Sequence, residues 1–179
     1  MLEEGKNRMS TMQTLEADTT LGEGSDGSQY LTFLLAGEEY GVDILRVQEI
    51  KGWDTVTSIP NTPAYIKGVI NLRGTIVPLI DLRERFGLEA LSYGATTVVI
   101  VLKVARNHGE RIMGLVVDAV SDVYNVSDEQ RKPPPDFGAA VSSEFVKGLA
   151  TVGDKMLILL DIDHLLNAGE LAVMDSLAT

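Results

Sequence analysis

Few side chains in this sequence are suited to chemistry, and most lack the neighbours that catalysis needs. Gly22-Glu23-Gly24-Ser25-Asp26-Gly27 has the G-x-G-x-x-G spacing of a dinucleotide loop. Such a loop works by following a strand and opening a helix, whose free amides hold a pyrophosphate. Here a polar stretch precedes it, strand-like residues follow, and Glu23 and Asp26 repel phosphate. The segment reads as a flexible linker. The histidines, His108 and His164, are far apart, and His164 has Asp161 and Asp163 for neighbours. A metal needs three or four converging ligands, and strand and helix geometry splays these. Glu38-Glu39 falls at an expected hairpin tip, where water keeps carboxylates ordinary. No G-x-S-x-G, phosphate loop, kinase signature or H-E-x-x-H occurs. No catalytic residue, no cofactor and no metal is expected, and the residues point to a binding protein.

Composition narrows the partners. The 179 residues carry a formal charge of −11. That field repels phosphate backbones and anionic lipid surfaces, so neither nucleic acid nor direct membrane insertion is expected. Without cysteines there is no disulfide framework or thiolate chemistry. The first twenty residues lack the apolar stretch of a signal peptide. The longest clean apolar runs, residues 98–102 and 156–160, have the length of strands and not of a membrane helix. A soluble, cytoplasmic protein is expected.

The elements that must position any site are mostly short strands. Residues 1–28 are polar, acidic and aperiodic, which predicts a disordered tail. Residues 30–35 alternate, with Leu31, Phe33 and Leu35 on one face, and pair through a turn with 40–44. A helical turn over 46–52 and a short strand over 56–60 come next. Residues 68–72 and 75–80 form a second hairpin with Arg73-Gly74 near its tip, and 81–86 a short helix ended by Gly87. Strands follow at 96–104 and 111–117. Ser127-Asp128-Glu129-Gln130 has capping-box spacing, and Pro133-Pro134-Pro135 forces an extended loop. Residues 145–152 and 156–160 make another hairpin, and 163–177 show a roughly helical pattern.

Two stretches of the chain repeat. Gly41-Val42-Asp43-Ile44 lies on Gly114-Leu115-Val116-Val117 at an offset of 73 residues. Tyr65-Ile66-Lys67-Gly68 lies on Phe145-Val146-Lys147-Gly148, and Leu79-Ile80-Asp81-Leu82 on Leu159-Leu160-Asp161-Ile162, at an offset of 80. Two copies of a small all-β unit explain this. Features in both copies are then structural, and features in one copy are candidates for function. Arg73 is one of these, because Gly153 stands in its place. Pro78 is another, matched by Ile158; a proline implies a strand edge or a bulge. The strand over 96–104 is apolar on both faces: Val98, Ile100 and Leu102 on one, Val99 and Val101 on the other. The second face is covered either from within the chain or by a partner.

Tyr40-Gly41-Val42-Asp43-Ile44-Leu45-Arg46-Val47-Gln48-Glu49-Ile50 resembles the first signature of the CheW coupling proteins. The stretch from Asn61-Thr62-Pro63-Ala64-Tyr65 through Asn71-Leu72-Arg73-Gly74 to Asp81-Leu82-Arg83 resembles the second. The likeness runs from about Gln29 to the C-terminus. It implies an all-β fold of two SH3-like five-stranded barrels with short helices and a C-terminal helix. The barrels would span about 29–90 and 95–160 of a domain over 29–179, with 1–28 as the tail. It also implies a non-enzymatic scaffold in chemotaxis signal transduction, recruited to membrane receptor arrays. One partner would be the regulatory domain of the histidine kinase CheA, the other the cytoplasmic tip of a chemoreceptor. The receptor-side positions would be Arg73, Glu49, Val98 and Val99, with Glu49 pairing Arg73. The kinase-side positions would be Ile44 and Val47. A kinase or receiver fusion is not expected in a chain of this length. The competing class is a small β-barrel ligand-binding protein or hydrolase. A partner docked on Val99 would make Val99→Asp weaken binding more than folding. Removing residues 1–28 is expected to leave the melting temperature unchanged; a drop of about ten degrees or more would contradict the tail assignment.

Overall fold

The computed structural model of the chain describes residues 27–106, 108–134 and 144–167. The expected tail up to residue 26, part of the proline loop and the helical pattern beyond Asn167 lie outside them. Among the described residues the architecture is all-β, with eleven strands in two curled sheets. The strands are β1 (Gly27–Leu35), β2 (Glu38–Asp43), β3 (Val47–Gly52), β4 (Ile66–Leu72), β5 (Thr75–Asp81) and β6 (Val98–Arg106). β7 (Gly109–Val117), β8 (Ala119–Ser127), β9 (Arg131–Lys132), β10 (Val146–Val152) and β11 (Lys155–Leu160) complete them. Two short helices, α1 (Leu82–Arg85) and α2 (Ile162–Asn167), follow β5 and β11.

The sheets cross the boundary that the sequence places near residue 90. One has the order β8-β1-β2-β11-β10-β9 and the other β3-β6-β7-β5-β4. Each therefore takes strands from both halves of the chain. The exchange is made by two parallel pairings, Leu159 with Gly41 and Leu79 with Gly114. These are the same pair in each repeat, taken across copies. The hairpins repeat in detail as well: Ile66–Ile80 and Gly68–Leu79 in one become Val146–Leu160 and Gly148–Leu159 in the other, with the same irregularity between them.

Space is short at both crossings and demands glycine at Gly114. A Cβ on Gly114 would stand 2.6 Å from Leu79 Cδ2 and 2.8 Å from Val99 Cγ1. One on Gly41 would meet Leu159 Cδ2 at 3.2 Å. At Gly68, with φ +140, a Cβ would lie 2.2 Å from the Thr57 carbonyl oxygen. That close approach lets Thr57 bridge to Val69, which is all that forms of the expected strand over 56–60.

Three apolar clusters fill this frame. Val77, Leu79, Val99, Val101 and Val116 pack inside the second sheet, and Tyr30, Val126, Ala150, Leu157 and Leu159 inside the first. The largest cluster joins them, drawing Leu31, Phe33 and Leu35 from β1, Ile100, Leu102 and Val104 from β6, and Leu165 and Leu166 from α2. Both faces of β6 are thus covered from within the chain.

Local expectations meet mixed outcomes. The helical turn sits earlier than 46–52, as a 3-10 turn at Ile44–Arg46. The residues after it alternate in burial and pair with β6 as β3. Ser127 and Gln130 do exchange hydrogen bonds, Ser127 N–H to Gln130 Oε1 at 2.8 Å and Gln130 N–H to Ser127 Oγ at 3.3 Å. They close the turn from β8 to β9 and start no helix. β5 lies inside its sheet, but Pro78 stands one residue ahead of its first pair with β7, where only β4 adjoins.

Two ion pairs tie the helices to the other half of the chain. Arg83 on α1 donates to Asp118 from Nε at 2.8 Å and Nη2 at 2.9 Å. Arg46 donates to Asp163 on α2 from Nη1 at 2.8 Å and Nη2 at 2.6 Å. Arg83 and Asp163 occupy equivalent places in the repeat, so the charges are swapped between copies. Partial burial pushes the Asp118 carboxyl up, but hydrogen bonds from Arg83 and the Ala36 amide, with the Arg83 charge, hold it below the usual aspartate value. Asp163 is lowered in the same way by Arg46 and the Ala105 amide, against burial.

Two outcomes follow from this packing. Gly114→Ala is expected to cost about 1–3 kcal/mol in urea unfolding, because the added methyl overpacks Leu79 and Val99; an unchanged midpoint would contradict it. Depressed carboxyl pKa values contribute stability that is present above the unfolded pKa and lost as pH falls through the folded one. The urea midpoint should therefore drop on acidification below about pH 5. An Asp118→Asn/Asp163→Asn double variant should start lower at pH 7 and lose less on acidification.

Candidate functional site: the edge of β3, β6 and the β4–β5 tip

The β4–β5 loop has only two residues, and both have positive φ: Arg73 at 50° and Gly74 at 91°. The turn suits the twist of the flanking strands, but it favours asparagine or glycine at its first position. Asn71 Oδ1 accepts from Gly74 N–H at 2.7 Å and fixes the loop. A non-glycine residue held left-handed costs roughly 1–2 kcal/mol. Gly153 takes the equivalent position in the β10–β11 hairpin, with φ 60°. The fold therefore prefers glycine at position 73 and carries arginine.

The Arg73 side chain is 74% exposed, and its guanidinium is ion-paired to Glu49 Oε1. Glu49 lies on β3 and pairs in register with Val101. β3 and β4 are the two edges of their sheet, so this ion pair draws the open edges together. Lys51 stands beside Val99 and Gly52 beside Val98. Arg73 and Glu49 thus meet at the sheet edge, while Val98 and Val99 lie on the neighbouring inner strand opposite Gly52 and Lys51.

They do not share one exposed face. Val99 is 2% exposed and belongs to the interior cluster of its barrel. Val98 is half-buried against the central core. Of the two readings left open for the Val99 face, cover from within the chain is the one that forms, with Val77, Leu79, Val101 and Val116 packed against it. Ile44 and Val47 are also half-buried against the central core, at the opposite end of β3 from Gly52.

Three features escape the sequence reading. Leu45, between Ile44 and Val47, is 76% exposed, the most exposed large apolar side chain among the described residues. Ile76 and Met156 are 59% and 58% exposed at matched places in the two hairpins. The repeat would have marked them as structural, because both copies are apolar there. Trp53 packs on Tyr93 with ring centroids 4.1 Å apart, and the Tyr93 hydroxyl donates to buried Asp81. Burial, with the Asp81 hydrogen bond and charge, pushes the Tyr93 phenol far up, so it remains a donor. Asp81 also caps α1, accepting from Glu84 N–H. A cavity of about 200 Å³ opens beside this pair, lined in part by Thr97, Val116 and Asp118.

Among the described residues no three histidine, aspartate or glutamate side chains converge as metal ligands. None of their helices is long and apolar enough to cross a membrane. The architecture defines a small all-β domain whose β4–β5 tip and β3 edge carry the exposed Arg73–Glu49 pair. Residues 29–170 match the CheW-like domain. The chemotaxis protein CheW of Klebsiella aerogenes is 52% identical over 152 residues, covering 85% of this chain and 89% of that protein. CheW of Rhizobium meliloti is 36% identical over 144 residues, covering 80% and 90%. The crystal structure of a scaffolding protein CheW from Thermoanaerobacter tengcongensis superposes with a TM-score of 0.72 at 35% identity, covering 80% of this chain and 94% of that one. The chain belongs to the CheW family of chemotaxis coupling and scaffold proteins, and this does not favour the ligand-binding or hydrolase class.

Thermal melts of two variants test how the edge is built. Arg73→Gly relieves the left-handed strain and removes an exposed ion pair worth about 0.2–1 kcal/mol, so its stability should stay within about 1 kcal/mol of the parent or rise. Val99→Asp buries an unpaired carboxylate inside a barrel and should unfold the domain or cost several kcal/mol. A folded Val99→Asp protein, or a strongly destabilised Arg73→Gly one, would contradict the assignment.

Proposed function

We propose that the chain is a non-enzymatic adaptor that works in the cytoplasm and is recruited to membrane receptor arrays. The Arg73–Glu49 tip takes the cytoplasmic end of a chemoreceptor. The far end of β3, with Ile44, Leu45 and Val47, takes the regulatory domain of the histidine kinase CheA. The observation that carries this is Arg73 itself: an exposed arginine in a conformation suited to glycine, pinned by Glu49, where the second copy has Gly153. Strain retained at an exposed residue points to recognition. The guanidinium fork can engage carboxylates or carbonyls on a helical partner, and Glu49 holds it ready. Val98 stands opposite Gly52 on β3, while Val99 acts from inside by holding β6 in place.

Arg73→Ala is expected to fold, to bind the kinase regulatory domain normally and to lose at least tenfold in affinity for a receptor fragment. Glu49→Ala should lose less, and the double variant should be less than additive. Separate calorimetric titrations measure this. Equal loss of both affinities would make Arg73 structural, and unchanged receptor affinity would remove it from the site.

A further inference from the structure

The cavity beside Tyr93 has walls that contacts within the chain do not explain. It lies between the ends of β5 and β7 and the connection from α1 to β6, and holds about 200 Å³. Leu91, Ser92, Gly94 and Thr96 on its rim are exposed, so solvent reaches it. Asp81, Arg83, Val116 and Asp118 stand deeper along the wall.

The chemistry of the wall is one-sided. Every nitrogen of Arg83 already donates, Nε and Nη2 to Asp118 and Nη1 to the Glu89 carbonyl. The Tyr93 hydroxyl donates to Asp81. Within the Arg83–Asp118 pair the carboxylate is the more accessible side, 30% exposed against 14%. The Ser92 and Thr96 hydroxyls, on the rim, make no hydrogen bond among the described residues. What the cavity offers a visitor is therefore chiefly acceptors.

The charge is unbalanced in the same sense. Lys67 pairs with Glu84 and Arg83 with Asp118. Buried Asp81 is left without a cation of its own, accepting from the Glu84 amide and the Tyr93 hydroxyl. Asp161, its counterpart in the second copy, also caps a helix, accepting from His164 N–H at 3.0 Å, but is only half-buried. Capping thus explains the aspartate and leaves the burial of its charge unexplained.

We propose that this cavity is a binding site for a primary alkylammonium group, carried by a lysine side chain or by a free amine. The ammonium brings three N–H donors for the Asp118 carboxylate and the rim hydroxyls, and the positive charge that Asp81 lacks. Its alkyl stem lies along Leu91 and Val116. The volume is below the roughly 300 Å³ at which small-molecule pockets begin, which suits a chain and not a ring system. An anion would meet two carboxylates. A hard divalent cation needs converging oxygen ligands, and no three acidic side chains converge among the described residues. The site is apart from the β3 edge and stands whatever binds there.

NMR of the isotopically labelled full-length protein tests the proposal. The reporters are the amide signals of Gly94 and Thr97 and the indole N–H of Trp53, the one tryptophan of the sequence, which packs on Tyr93. The probes, at constant ionic strength, are n-butylammonium, lysine blocked at its α-amino and carboxyl groups, n-butanol and butyrate. Both amines should move the signals along saturating curves, and n-butanol and butyrate should leave them nearly unmoved. The tighter of the two amines identifies the source: blocked lysine a protein side chain, n-butylammonium a free amine. Asp81→Asn keeps a capping side chain and removes the charge. It should melt as a folded protein and bind both amines about tenfold or more weakly. Asp118→Asn gives the same reading should the first variant fail to fold. No saturable response to either amine would overturn the proposal. An equal response to n-butanol would also overturn it, by showing a merely apolar pocket, as would undiminished binding by a folded variant.

Discussion

The structure depends on one constraint: each barrel is completed by a hairpin lent from the other half of the chain, β1–β2 in one and β6–β7 in the other. Backbone meets backbone at Gly41–Leu159 and Gly114–Leu79; a Cβ would be tight at the first and would clash at the second. Two small barrels built separately would each bury little apolar surface and be marginal alone. Exchange makes them one cooperative unit, with a central cluster between the sheets and a smaller cluster inside each. The swapped ion pairs, Arg46–Asp163 and Arg83–Asp118, fasten the same exchange at its outer ends.

This frame leaves exposed side chains to the edges, where the proposed recognition falls. β6 has both faces committed to cores, so it offers a partner no apolar face. What remains free is the rim: a hairpin tip with Arg73, the exposed Leu45 turn and the protruding Ile76 and Met156. A rigid frame lets a tip hold a strained residue at small cost to the whole, because the strain is local and the strands beside it are over-determined. The pair of Arg73 with Glu49 then does two things at once. It brings the β3 and β4 edges together, and it fixes the direction of the guanidinium.

Much of this was legible in the sequence. The period-two alternation gave the strands, and the internal repeat gave the matched hairpins with their shared register. The asymmetry between Arg73 and Gly153 singled out the tip, and the Arg73–Glu49 pair forms as the family resemblance implies. The strand exchange was not legible, because alternation reports which face is buried and not which strand lies alongside. Val99 was left open for the same reason: an apolar outer face reads alike whether another part of the chain or a partner covers it. β8 was obscured by Asp122 and Asn125, which interrupt its alternation at a sheet edge where polar residues are tolerated. Leu45 follows Ile44 with nothing in the sequence to set it apart, and only the 3-10 turn at Ile44–Arg46 brings it to the surface.

The central claim is that one rigid body holds two partners on separate edges at the same time. Sedimentation velocity on an equimolar mixture of this protein, a receptor-tip fragment and the kinase regulatory domain tests it most directly. The account predicts a single heavier species containing all three, absent when this protein is omitted. Displacement of one fragment by the other would contradict it, because the two would then share one surface.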